Sequence, residues 1–167
     1  MKITAPLSDK DIKELKAGDE VLISGIIYTA RDAAHQRFGN KLPFDIKGQI
    51  IYYASPTPTP PGKIIGSIGP TTSSRMDAFA PELLKKGLKA MIGKGSRSKE
   101  VIAAIKKYKA VYLVVPGGTA ALLSKHVKRV RVLAYPDLGA EAVHELEVEN
   151  FPVIVAIDSR GGDLFAS

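Results

Sequence analysis

Three times between Lys63 and His126 a short apolar run gives way to a glycine-containing loop and then to helical spacing, and no other feature narrows the fold as much. The first unit is Lys63 to Ile68, the loop Gly69-Pro70-Thr71-Thr72-Ser73-Ser74, and Arg75 to Lys86. The second is Leu88 to Ile92, the loop Gly93-Lys94-Gly95-Ser96-Arg97, and a helix capped by Ser98. Ala110 to Val115, Pro116-Gly117-Gly118 and Thr119 to His126 make the third. Strands alternating with helices in this way predict an α/β domain with parallel strands in its centre.

The flanks add to that frame. Ser8 caps a helix over Asp9 to Lys16 that closes near Gly18, with Ile12 and Leu15 facing inward. Glu20 to Ile27 reads as a buried strand, Thr29 to Phe38 as a helix, and Gln49 to Ala54 as a second strand. Pro56, Pro58, Pro60 and Pro61 remove amide donors and impose a stiff extended loop. Val127 to Ala134, His144 to Glu149 and Val153 to Asp158 supply further β structure. No motif repeats at a fixed period, which argues against a solenoid. At 45% hydrophobic residues, the 167 positions suit one domain over residues 1–167, burying roughly 70% of the surface its unfolded chain exposes.

Cysteine is absent, so the chain offers no disulfide, no thiolate nucleophile and no cysteine ligand for a metal or cluster. His35, His126 and His144 are too far apart in sequence to form a local metal-binding pair. The longest apolar runs, such as Val111 to Val115, fall far short of the ~20 residues that span a bilayer. The N-terminus has no apolar stretch of signal-peptide type. A cytoplasmic location away from membranes is the expectation.

Charge is unevenly placed. Between positions 75 and 109 stand ten bases (Arg75, Lys85, Lys86, Lys89, Lys94, Arg97, Lys99, Lys106, Lys107, Lys109) against Asp77, Glu82 and Glu100. That segment matches the whole chain's net charge of +7, while Asp137 to Asp163 is acidic. An anionic ligand suits the basic middle; solvated helix faces account for many of its lysines equally well. Nucleic acid is a weaker reading, because only Phe79 and Tyr108 supply aromatics there and no RNA-binding signature appears.

Ligands of parallel α/β sheets gather where strands end and helices begin. Gly69 to Arg75 places four hydroxyls and Arg75 at such a point, and Thr71 and Arg75 can share the space above a helix start; plain capping is the alternative. Lys94 lies between Gly93 and Gly95, where backbone can approach a ligand closely. The loop matches neither the P-loop nor the dinucleotide fingerprint. Arg31 follows a strand and can grip a carboxylate with two parallel hydrogen bonds, or else pair with Asp32. His35, four residues on, reads as a hydrogen-bonded structural histidine.

Taken together, Tyr28-Thr29-Ala30-Arg31-Asp32-Ala33-Ala34-His35, Gly69-Pro70-Thr71-Thr72-Ser73-Ser74-Arg75-Met76-Asp77 and Ile92-Gly93-Lys94-Gly95 resemble signature segments of the class I fumarate hydratases, in their β subunit or equivalent C-terminal domain. The resemblance spans nearly the whole chain, and the L(+)-tartrate dehydratase β subunit shares the pattern. It implies a single swivelling β/β/α domain with a partly parallel central sheet. It also implies a [4Fe-4S] cluster held by cysteines of a partner α subunit, with none ligated by this chain and the general acid likewise on the partner. A small dicarboxylate would bind Arg31, Arg75 and Lys94, and Thr71 would be the base that removes the malate C3 proton. The same resemblance is compatible with a homodimer or a heterotetramer. A purely structural assembly subunit is the remaining alternative.

Overall fold

The computed structural model describes residues 1–117 and 120–166, with backbone alone at Ala120 and Ala121. Four parallel pairings run through β1 (Lys2–Thr4), β2 (Glu20–Thr29), β3 (Ile50–Tyr52), β4 (Ala90–Gly93) and β5 (Val111–Val114). The long β7 (Val143–Ile157) lies antiparallel to β5 on one side and to β2 on the other, and carries β6 (Val127–Ala134) at its edge. Because β7 touches both β5 and β2, the sheet curls back on itself, as mixed sheets do when their twist accumulates. The domain is thus mixed α/β with a largely parallel sheet.

Alternation along each strand sorts the core into two layers. Ile50 and Tyr52 of β3, Ala90 and Ile92 of β4, and Val111 and Leu113 of β5 enter an inner cluster with Ile23, Ile27, Leu146 and Phe151. Their neighbours Ile51, Met91 and Tyr112 face outward, against α2 (Asp32–Phe38), α3 (Ala80–Lys85) and α4 (Lys99–Tyr108). Helices of six or seven residues are unstable alone. Each buried Ile, Leu or Met contributes about 1.5–3 kcal/mol, so packing against the outer cluster holds α2 and α3 in place.

Several boundaries differ from expectation, each for a local reason. α1 (Asp9–Glu14) carries the expected Ser8 cap, completed by Asp11 into a capping box, but ends before Lys16. Thr29 closes β2 instead of opening α2, because its hydroxyl takes the His144 amide at 3.1 Å. Lys63 to Ile68 forms no strand. The proline segment opposite it lacks donors for a ladder, and the bonds that join them include Thr57 N–H to the Ser67 carbonyl at 2.9 Å, Ser67 N–H to Thr57 Oγ1 at 2.8 Å and Lys63 N–H to the Pro60 carbonyl at 3.1 Å. Ile65 and Ile68 still reach the inner core. The expected helix Arg75 to Lys86 is split into a 3-10 turn, Ser73–Met76, and α3; Pro81 sits in the first turn of α3, the one place a helix accepts it.

The two strands expected after His144 are one strand. A bulge at Glu149 and Asn150, with Asn150 at φ 52°, re-registers β7 against β2, where Ile23 faces Phe151 and Gly25 faces Val148. The segment Ala120–His126 is 3-10 helix, and Gly118 and Thr119 lie outside the described residues. Strand β1 had no counterpart in the sequence reading. No described helix is long and apolar enough to cross a membrane.

Candidate active site at the carboxyl ends of the strands

The three loops singled out by sequence meet at one end of the sheet. Arg31 follows β2 directly, and its neighbour Ala30 donates to the Tyr52 carbonyl of β3 at 3.0 Å. Thr71 N–H donates to the Tyr53 carbonyl just beyond β3 at 2.7 Å. Lys94 follows β4; its amide donates to the Thr71 carbonyl at 3.2 Å, and its carbonyl accepts from Ser73 at 2.9 Å. A single parallel bridge between Thr72 and Lys94 therefore fastens the hydroxyl loop to the lysine loop.

The side chains divide the roles unequally. Arg75 is half exposed and grips Asp32 Oδ2 through Nε at 2.9 Å and Nη2 at 2.8 Å, tying the third loop, after β2, to the other two. Asp32 thus pairs with Arg75, not with its sequence neighbour Arg31. Arg31 reaches Ser55 Oγ at 3.4 Å and keeps a buried Nε without a partner. Lys94 is exposed, and among the described residues no carboxylate lies within ion-pairing distance of it. Thr71 is half-buried between them. Cavities of about 190 to 410 Å³ elsewhere in the fold are lined by other residues.

Capping does not explain the hydroxyls. Thr72 stands at the cap of the 3-10 turn with no side-chain cap bond, and the Ser73 hydroxyl is buried against Tyr112 at 2.7 Å. The glycine before Lys94 is needed for a different close approach from the one expected. A Cβ on Gly93 would come within 1.9 Å of Ser73 Oγ and 2.9 Å of the Tyr53 ring, so Gly93 makes room for the neighbouring loop instead of a ligand. Gly95, at φ 83°, turns the chain away from the strand.

The sequence reading gave no special place to Arg97, Asp77, Tyr53 and Tyr112, which lie beneath this face. The Arg97 side chain is fully buried and bonds Asp77 at 2.7 Å. An isolated cation in a basic stretch carries no local sign of burial, because its acid stands twenty residues earlier. The available signal was tyrosine inside otherwise aliphatic strand segments, since a buried phenol needs a partner. With Arg97 buried and Lys89 paired to Asp9, the basic segment is not one continuous cationic surface.

His35 is buried, and its Nδ1–H donates to the Arg31 carbonyl at 2.8 Å while Nε2 has no partner. Burial pushes its pKa down to about 4, although the Arg31 carbonyl and Asp32 act in the opposite direction. The folded value lies below the unfolded one, so the unfolded chain binds more protons between the two. Stability is full above pH ~6.5 and declines toward pH 4, by roughly 3 kcal/mol from this group. His144 shifts in the same direction by burial, so a His35→Gln variant flattens the decline without abolishing it. Urea unfolding at pH 7.5 and 4.5 checks this; an equally steep loss in wild type and variant contradicts it.

A mixed α/β domain whose strand-end loops assemble three cations and a threonine hydroxyl on one face has the construction suited to small anions. The chain belongs to the family described as Fumarase C-terminus, which matches residues 1–167. A protein of Methanocaldococcus jannaschii with the provisional name L(+)-tartrate dehydratase subunit beta is 46% identical over 95% of this chain and 88% of its own length. Fumarate hydratase 2 of Leishmania major is 39% identical over 94% of the chain, and the aerobic class I fumarate hydratase of Escherichia coli K12 is 41% identical over 86%. The chain spans only 29% and 28% of those two proteins.

The sequence has no cysteine, and among the described residues no group of three His, Asp or Glu side chains is placed to hold a metal.

Proposed function

We propose that this chain is the substrate-binding β subunit of a two-part fumarate hydratase, a hydro-lyase that interconverts fumarate and (S)-malate. The observation that carries the reading is the fastening of Thr71 to Lys94 through main-chain bonds beside Arg31 and Arg75, in a chain of this family. Two carboxylates need cationic partners; Lys94 and Arg31 are free of carboxylate partners among the described residues, and Arg75 is held ready by Asp32. In the dehydration direction a proton leaves C3 of malate and negative charge grows on the adjacent carboxylate. Fixed cations stabilise that charge more than they stabilise the ground state. Thr71 takes the proton in this reading. Its hydroxyl is a weak base, and Lys94 and Arg75 beside it favour the alkoxide form.

Lys94 and Arg75 are exposed while Arg31 and Thr71 are half-buried, and a second surface that closes over them would exclude water and strengthen each charge interaction. A cysteine-bearing α subunit supplies that surface in this proposal, together with a [4Fe-4S] cluster and the general acid. The assembly is a heterotetramer or a simpler pairing, in the cytoplasm. Tartrate is the second substrate reading, favoured by the name of the Methanocaldococcus jannaschii relative, whose length this chain nearly spans.

Co-purification with the α subunit, anaerobic supply of iron and sulfide, and parallel assays on fumarate and tartrate test the proposal. The assembled enzyme is expected to act on one of them and the isolated chain on neither. Activity from the isolated chain overturns the two-part reading. Thr71→Val that still exchanges the C3 proton of malate removes Thr71 as the base.

A further inference from the structure

Below the cationic face, two tyrosines and an arginine occupy positions that the chemistry above does not use. The Tyr112 oxygen lies 2.7 Å from Ser73 Oγ and 2.7 Å from the Gly95 carbonyl. A carbonyl only accepts, so the phenol donates to Gly95 and receives the Ser73 hydroxyl proton. One side chain on β5 thus holds the loop after β3 and the loop after β4 at once. Arg97 packs over the rings of Tyr112 and Tyr53, with its guanidinium carbon 4.8 and 5.2 Å from the ring centres. Its Nη2 donates to the Tyr53 hydroxyl at 3.2 Å and its Nε to Asp77 at 2.7 Å. The second Asp77 oxygen accepts the Ser98 amide at 2.8 Å, which anchors the far end of the lysine loop at the start of α4.

The tie has a direct consequence for the exposed groups. Ser73 and Gly95 flank the Thr72–Lys94 bridge, so the buried Tyr112 hydroxyl reinforces from below the main-chain bonds that set the separation of Thr71 from Lys94. Misplacing a reacting group by about 1 Å costs on the order of 100-fold in rate. We propose that Tyr112 and Arg97 are positioning residues, which fix the hydroxyl loop against the lysine loop for the proton transfer. This rests on the hydratase reading given above for Thr71 and Lys94.

Tyr112→Phe is the test, because it keeps the ring under Arg97 and removes only the hydroxyl. In the assembled enzyme kcat is expected to fall about 10-fold or more. The isotope effect for substrate deuterated at the carbon that loses its proton is expected to rise, because misalignment makes that step limiting. A smaller fraction of folded enzyme lowers kcat and leaves the isotope effect unchanged, and that result overturns the proposal. Amide hydrogen exchange reads the tie independently of activity. In Tyr112→Phe the Ser73 and Lys94 amides should exchange faster, while the Tyr53 amide, bonded to Ile92 at 2.8 Å, keeps its protection. Unchanged exchange at Ser73 and Lys94 also overturns the proposal.

Arg97→Lys, which keeps the charge but loses the fork that spans Asp77 and Tyr53, serves as the second variant and should show the same signature. Lys94→Ala separates the two levels of inference. Loss of turnover in Lys94→Ala with full turnover in Tyr112→Phe rejects positioning alone; full turnover in both rejects the hydratase reading of these loops.

Discussion

Lys94→Ala in the assembled enzyme lowers turnover at least ~100-fold, the scale seen when a donor to a developing negative charge is removed, and leaves stability within about 0.5 kcal/mol. The two halves of that expectation have separate structural grounds. The Lys94 side chain is exposed, and what holds the loop is its main chain, through the Thr71 carbonyl and the Ser73 amide. Alanine preserves both bonds. What disappears is an exposed ammonium on an otherwise anchored loop, and the desolvation that accompanies closure magnifies the loss. Arg75→Lys is a different experiment, because Arg75 also bridges Asp32 through two nitrogens, and its replacement disturbs the loop after β2 as well. Steady-state assays paired with urea unfolding decide the matter. Near-normal turnover in Lys94→Ala with intact stability excludes the lysine from the reaction.

Arg31, Lys94 and the pair Thr71 and Arg75 stand on three loops distant in sequence that meet at one end of the sheet, although the strand read before the hydroxyl loop did not form and Thr71 instead joins the sheet through the Tyr53 carbonyl. Legibility stopped where partners are remote. Asp32 pairs across forty-three positions with Arg75, a choice that local spacing does not encode and that removes the Arg31–Asp32 alternative. The proline arm looked strand-like at Lys63 to Ile68 because Ile64, Ile65 and Ile68 make a short β-branched apolar run before a glycine loop, but a ladder needs donors from the opposite segment, and proline removes them. β7 looked like two strands because the bulge at Asn150 interrupts the pattern; its continuity depends on β2 following it through the shift. Three-residue β1 carries too short a pattern to show a period. The buried layer of Arg97, Asp77, Tyr53 and Tyr112 was the least legible of all, since a cation in a lysine-rich segment reads as surface until the acid opposite it is seen.

That layer yields the largest expected stability effect. Arg97→Met should destabilise the domain by roughly 3–5 kcal/mol, the cost of leaving one member of a buried ion pair without the other. Methionine replaces much of the volume, so the loss comes chiefly from Asp77, whose side chain is only 15% exposed and would retain a single bond from the Ser98 amide. The Tyr53 hydroxyl also loses its guanidinium donor. Removing the acid as well, in Arg97→Met/Asp77→Asn, should recover part of the deficit, because the stranded charge is gone and a neutral amide oxygen still accepts from Ser98. Urea unfolding at pH 7.5 of the wild type, both single variants and the double variant measures the coupling. Additive losses, with no recovery in the double variant, would show that the two groups act independently and that the ion pair is not what braces these loops. A coupling of the expected sign would mean that the cationic face depends for its shape on a charge pair whose cation is fully buried beneath it.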